Sequence, residues 1–165
     1  MDDPPGGRLE LHHGEVVFLT FPKGPHTISQ DNLIDQLKPR ARGKGKVIME
    51  LPYCPLPEYE VWAADVAFIA REQWAAWDKR DWLPGAPTLV IEVLSPSNTK
   101  AEIADKRQTC FRGGCLEFWL VDPKKRTIQT WTSDLATIKY GESDFVPLTV
   151  MGAEALPVAT IFEED

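Results

Sequence analysis

Cysteine is scarce in this chain. Cys54, Cys110 and Cys115 are an odd number, and no two stand in C-x-x-C spacing. That argues against a disulfide framework or a cysteine zinc site, and for small apolar side chains in a reducing compartment. Long apolar runs are missing too: nothing approaches the roughly 18 uncharged residues of a membrane span. The opening stretch, Met1 to Gly7, is acidic and rich in Pro and Gly, so it is read as a flexible lead-in and not as a secretory signal. A cytoplasmic address follows. There is no internal repeat and no low-complexity block. The serines lack a nucleophile-elbow context, and Ser95 before Pro96 reads as a turn and cap residue. A basic surplus is also absent, since the net charge is −7. Proteins that grip DNA by its phosphates usually carry one, so a nucleic-acid partner would have to meet a local basic patch or a bound cation.

What remains is a chain of 165 residues with 43% hydrophobic and 26% charged residues. This is enough for one domain, taken as residues 8–165, with a core of its own. Two strands around a turn at His13-Gly14 are predicted between Arg8 and Phe21. Ile28, Leu33, Ile34 and Leu37 keep helical spacing, so a helix is predicted from Pro25 to Leu37, ended by Pro39 and the basic stretch Lys38 to Lys46. Val47 to Leu51 reads as a short strand, Pro52 to Pro57 as a loop and Glu60 to Ala70 as a long strand. Arg71 to Trp82 is an aromatic, polar connection. Thr88 to Leu94, the most apolar run, is read as a central strand. A turn and cap at Pro96 to Thr99 lead into a helix from Lys100 to Arg112, stopped by Gly113-Gly114. Leu116 to Val121 and Thr127 to Thr132 form a hairpin around Asp122-Pro123-Lys124-Lys125. The expected class is α/β (α+β), a mixed sheet flanked by helices.

Two carboxylates stand out. Glu92 interrupts Leu89-Val90-Ile91-Glu92-Val93-Leu94, and Asp65 interrupts Trp62-Ala63-Ala64-Asp65-Val66-Ala67-Phe68-Ile69. In a strand covered on both faces an unpaired carboxylate costs several kcal/mol or keeps its proton. A cation, a set of donors, a strand end open to solvent or an arginine across the sheet could each compensate it. Two such acids side by side would repel unless a divalent ion lay between them, and Mg²⁺ takes one or two protein carboxylates and keeps several waters. Lys106, fourteen positions after Glu92 (106 − 92 = 14), could orient a metal-bound water or offset charge on a phosphate. Its plainer role is a solvated helix pair with Glu102, four residues earlier.

The string Gly85-Ala86-Pro87-Thr88-Leu89-Val90-Ile91-Glu92-Val93-Leu94-Ser95-Pro96-Ser97, with Asp65 before it and Lys106 and Glu117-Phe118-Trp119-Leu120-Val121-Asp122-Pro123 after it, resembles the Uma-two family. That family is restriction endonuclease-like and part of the PD-(D/E)XK nuclease superfamily. The likeness runs from about Leu9, where Glu10 to Val17 is similar to an E-x-x-x-G-E hairpin, to about Trp131. It implies a restriction endonuclease-like mixed central sheet with helices on its faces. It also implies a Mg²⁺ or Mn²⁺ site on Asp65, Glu92 and the backbone carbonyl of Val93. The chain departs from the pattern in three places. Leu94 holds the usual lysine slot, so Lys106 on the next helix is the substitute. Ala64 replaces a proline before Asp65, and Cys110 replaces a helix tyrosine.

His26, near a helix start, is a further candidate neighbour of the site, with Glu10 and Glu102. His12 and His13 are adjacent and would point to opposite faces of a strand. Lys38, Arg40, Arg42, Lys44 and Lys46 could track a phosphate backbone or form a solvated loop. Trp74, Trp77 and Trp82 could stack on bases, pack on a sheet edge or bury a dimer contact. The expected function is metal-dependent endonuclease hydrolysis of DNA phosphodiester bonds by Asp65, Glu92 and Lys106, with a homodimer compatible. The competing expectation is a nuclease-like fold that binds nucleic acid or a protein without turnover. A third is that the acids are structural ion-pair partners only.

Overall fold

Burial on both faces makes a strand central, and the two most apolar strands of this chain are the ones that sit in the middle of its sheet. The computed structural model describes residues 3–165. The chain runs β1 (Gly7–His12), β2 (Glu15–Thr20), α1 (Gly24–Arg40), β3 (Gly45–Cys54), β4 (Trp62–Ala70) and α2 (Arg71–Ala76). It continues through β5 (Leu83–Pro84), β6 (Leu89–Val93), α3 (Lys100–Arg112), β7 (Glu117–Asp122), β8 (Thr127–Thr132), β9 (Thr137–Tyr140), β10 (Phe145–Leu148) and β11 (Ala153–Pro157). Seven strands form one mixed sheet in the order β5-β3-β4-β6-β7-β8-β9. All of β6 and all of β4 but its last residue are buried. β6 and β7 are parallel and joined through α3, while β3–β4, β4–β6, β7–β8 and β8–β9 are antiparallel. The expected class, a mixed sheet flanked by helices, is the one found.

Each face of the sheet has its own core. Leu33, Ile34 and Leu37 of α1 pack with Val66, Phe68, Leu89, Ile91 and Val93 on one side, joined by Val146, Leu156 and Ile161 of the C-terminal region. Ile103 and Cys110 of α3 pack with Ala67, Ile69, Val90 and Phe118 on the other. Thr99 caps α3 with a reciprocal box, accepting from Glu102 N–H while the Glu102 carboxylate accepts from Thr99 N–H at 2.8 Å. This satisfies two donors that a helix start leaves free. Gly113, just past the helix, lies so close to Pro55 that a Cβ there would meet its carbonyl oxygen at 2.5 Å.

Several boundaries differ from the sequence reading. α1 runs through Pro39 to Arg40, because a proline in the last turn removes one hydrogen bond with little helix left to break. β3 extends through Pro52 to Cys54, since β5 pairs only Tyr53 and Cys54, and Pro52 sits where β3 is in effect an edge. The connection after β4 holds a short helix, α2, whose Gln73 side chain donates to Ala86 O and accepts from Thr88 N–H. Of the expected lead-in, Met1 and Asp2 lie outside the described residues. Asp3 accepts from Leu9 N–H at 2.8 Å, and Gly7 already belongs to β1. Among the described residues no helix is long and apolar enough to cross a membrane.

Candidate functional site

The side-chain alternation that a strand imposes slips at one place in each of two neighbouring strands, and both places are acidic. In β4, Trp62 and Ala64 face the same core as Ala67 and Ile69, so the alternation shifts around Asp65. In β3, Ile48 and Leu51 share that core while Val47 faces the other, so the shift falls at Glu50, whose φ is +54°. The ladder pairs Met49 with Val66 and Leu51 with Ala64, which sets Glu50 opposite Asp65. On the other side Val66 pairs with Ile91, and one step further Asp65 stands opposite Glu92. The ladder stops there, because Asp65 Oδ2 accepts the Val93 N–H at 2.8 Å. Three acids thus form one row across β3, β4 and β6.

Lys106 comes from the buried face of α3, with Ile103, Thr109 and Cys110. Its Nζ donates to Ala63 O at 2.7 Å and lies 2.7 Å from Glu92 Oε1. The second contact is a buried ion pair, which makes Lys106 the charge partner of Glu92 Oε1. The solvated Glu102–Lys106 pair is overturned: Lys106 is only 8% exposed, and Glu102 is the cap partner of Thr99, outside the cluster.

β1 adds a second row of charge. Arg8, Glu10 and His12 share one face of that strand, and Glu10 is the buried member. Arg8 Nε donates to Glu10 Oε1 at 2.9 Å, another Arg8 nitrogen holds Glu50, and a third lies 3.9 Å from Asp65 Oδ1. His12 lies 2.7 Å from Glu10 and stacks on Trp62 with ring centroids 4.1 Å apart. From α1, His26 Nε2 is 3.1 Å from Asp65 Oδ2, and Gln30, one turn later, donates to Glu50 Oε1 and to Asp65 O. Asp65, Glu92, Lys106, Glu10 and His26 therefore converge. The place is buried and is not an open cleft, with its exposed border at Arg8 and Glu50.

The protonation pattern follows from this packing. Burial, then the neighbouring Asp65 charge, push the Glu92 carboxyl up to about 8, against the pull of Lys106. Burial also pushes Asp65 up, but the His26 contact, Lys106 and the Val93 N–H together hold it below the ordinary carboxylate range. Burial pulls Lys106 down, and Glu92, Glu10 and Asp65 outweigh it, so the ammonium stays charged. Cys110, one turn beyond Lys106, is pushed to about 12 by burial and meets the Tyr53 hydroxyl at 3.0 Å. The hydroxyl that α3 lacks at Cys110 thus arrives from β3.

Glu10, Glu50, Asp65 and Glu92 face two permanent cations, Arg8 and Lys106. Glu92, pushed up to about 8 by burial and by Asp65, would need a further positive charge beside it to ionise fully near neutral pH. Its uncommitted donors are hard carboxylate oxygens, which suit Mg²⁺ or Mn²⁺ and not a soft metal. Among the described residues no three His, Cys, Asp or Glu side chains form a ready-made metal cage. A divalent ion here would use the carboxylates with backbone and water. With three carboxylates in one row, and the Glu92 carboxyl raised by burial and by its Asp65 neighbour, the residues fit such an ion.

Sequence reasoning missed Arg8, Glu50 and Gln30. Glu50 carries the signal that singled out Asp65 and Glu92, an acid after the apolar Val47-Ile48-Met49. The alternation Arg8-x-Glu10-x-His12 was equally readable.

The family model of Uma2, described as "Putative restriction endonuclease", matches residues 1–160. Among solved structures, a crystal structure titled as a putative nuclease belonging to DUF820 from Anabaena variabilis matches with a TM-score of 0.83 and 17% identity. That match covers 98% of this chain and 93% of the other, and shows a shared fold. No curated protein matches.

Proposed function

This chain belongs to the Uma2 family, and we propose that it is a metal-dependent endonuclease that hydrolyses phosphodiester bonds of DNA. Asp65, Glu92 and the backbone carbonyl of Val93 would hold Mg²⁺ or Mn²⁺. A divalent ion there supplies Lewis-acid polarisation of a phosphate oxygen and a more acidic water. The residues do the rest. His26 and the Val93 N–H keep Asp65 in one rotamer and ionised. Lys106, pinned by Ala63 O and Glu92, offers a fixed positive charge to a water or to the charge that builds on the phosphate. The hydrophobic walls of β4 and β6 keep the local dielectric low, so each of these charges acts at greater strength than in water.

One observation carries the reading: Glu50, Asp65 and Glu92, from three neighbouring strands, fall in one row beside the Lys106 ammonium. The test is cleavage of linear, circular and single-stranded DNA with Mg²⁺ or Mn²⁺, wild type against Glu92→Ala. Wild-type cleavage reduced at least about a hundredfold in the variant supports it. No cleavage on any form, or equal cleavage by both, counts against it. A homodimer belongs to the same reading, because two copies could cut two strands, and sedimentation tests that separately. So does a cytoplasmic, reducing setting, in keeping with three free cysteines.

The second reading, a nuclease-like fold that binds nucleic acid or protein without turnover, draws on a different observation. Asp65, Glu92 and Lys106 are nearly closed to solvent, the chain is acidic overall, and Leu94 stands where the motif has lysine. It expects no tight divalent site, so calorimetry with Mn²⁺ separates the two.

A further inference from the structure

We propose that Arg8 is a positioning residue of this site, an internal counter-ion that competes with the divalent cation for the carboxylates and so sets the site's metal affinity. The proposal rests on the metal-dependent reading above.

Arg8 reaches acids from three different strands. Its Nε is 2.9 Å from Glu10 on β1 itself, another nitrogen holds Glu50 on β3, and a third is 3.9 Å from Asp65 on β4. An arginine cannot shed its proton to ease burial, and these acids overcome the burial that would pull it down. Its charge is therefore a permanent part of the cluster.

Glu50 shows how much this cation is needed. It stands opposite Asp65, and like charges facing each other on neighbouring strands repel. Its backbone lies in the left-handed region, φ +54°, which a glutamate adopts reluctantly. Gln30 fixes one of its oxygens at 2.6 Å and Arg8 takes the other. The arrangement persists because a positive group lies between the two acids.

Arg8 also stands at the border with solvent. Its side chain is 20% exposed and that of Glu50 41%, while Asp65, Glu92 and Lys106 are each 10% or less. A hydrated cation approaching Asp65 from this side meets the guanidinium first and is repelled by it. Binding then exchanges one counter-ion for another. A displaced guanidinium would still hang from β1 beside the site, with the planar fork that suits a phosphate.

The experiment is Mn²⁺ binding by calorimetry to the full chain, with the Mn²⁺-induced shift in Tm as a second readout, for wild type, Arg8→Met, Arg8→Gln and Arg8→Lys. Without metal, the two neutral variants should melt below wild type, because the acids lose their counter-ion. With Mn²⁺, they should bind at least about tenfold more tightly than wild type and show the larger rise in Tm. Arg8→Lys, which keeps the charge, should return close to wild-type affinity. Should Arg8→Met fail to fold, Arg8→Gln decides. Wild type that binds Mn²⁺ while the neutral variants bind equally or more weakly overturns the proposal and leaves the metal reading intact. No Mn²⁺ binding by any of the four overturns both.

Discussion

Two neighbouring residues of α3 make two different ties to the rest of the molecule. Lys106 points inward to Glu92 and Ala63, all but sealed from water. Asp105 points outward to His13 in the β1–β2 turn, at 2.8 Å, and both partners are about half exposed. His13 also meets Glu60 at 2.7 Å, so a histidine sits between two acids, much as Lys106 sits between Glu92 and the wider acid cluster. The chemistry is similar and the surroundings are opposite. Water screens the outer tie and makes it easy to replace. The inner charges gave up their hydration, so each now depends on its partner.

The sharpest way to break this contrast is Lys106→Ala. It strands Glu92 and the Ala63 carbonyl, and should lower unfolding stability in urea by about 3–5 kcal/mol. The double variant Glu92→Gln, Lys106→Met, which removes both charges, should recover much of that loss. A loss just as large in the double variant would mean that packing, and not the stranded charge, is what matters.

Next in size is Thr99→Ala. The capping box starts α3 and so supports both ties, and its removal should cost about 1 kcal/mol in the same experiment. An unchanged midpoint would show that α3 is held by its packing alone.

The outer tie should respond weakly and with a definite sign of pH dependence. The Asp105 hydrogen bond first, and then the Glu60 and Asp105 charges, raise the His13 pKa above its ordinary value near 6.5. A raised pKa means that the folded state holds the proton more firmly. Its contribution is therefore complete below about pH 6.5 and is lost as pH rises through the folded value. His13→Gln should cost less than about 1 kcal/mol at about pH 5.5, and less again at about pH 8.5. An NMR titration of His13 with a midpoint below the ordinary value would contradict this. At the far end of the scale, the fully exposed pair Arg80–Asp78 should show no measurable change in stability when Arg80 is made alanine.

The same contrast explains what was legible in the sequence. Asp65 and Glu92 were conspicuous because an acid inside an apolar strand is costly wherever that strand is buried, and the run of Leu, Val and Ile around Glu92 announced the burial. The hairpin turn at His13-Gly14, the cap at Thr99 and the stop at Gly113-Gly114 were readable for local reasons of backbone conformation and hydrogen bonding. Lys106 was harder. Glu102 at the favoured spacing offers it a partner on the helix surface, and only the packing of α3 on the sheet decides which way the lysine turns. Glu50 carried a readable signal but was weakened by the prolines that follow it, which suggested a loop where β3 continues. Gln30 gave no signal at all, since a glutamine on a helix is ordinary until its partners are known.

The sequence by itself determined the alternation and caps that make the strands and helices, and placed two acids, Asp65 and Glu92, within apolar strands. Those are properties of a residue and its near neighbours along the chain. Tertiary structure alone decided that Glu50, Asp65 and Glu92 fall in one row, that Lys106 turns inward and that Arg8 closes the border. Register across a sheet joins residues far apart in the chain, and electrostatic energy depends on those distances and on the water that packing excludes.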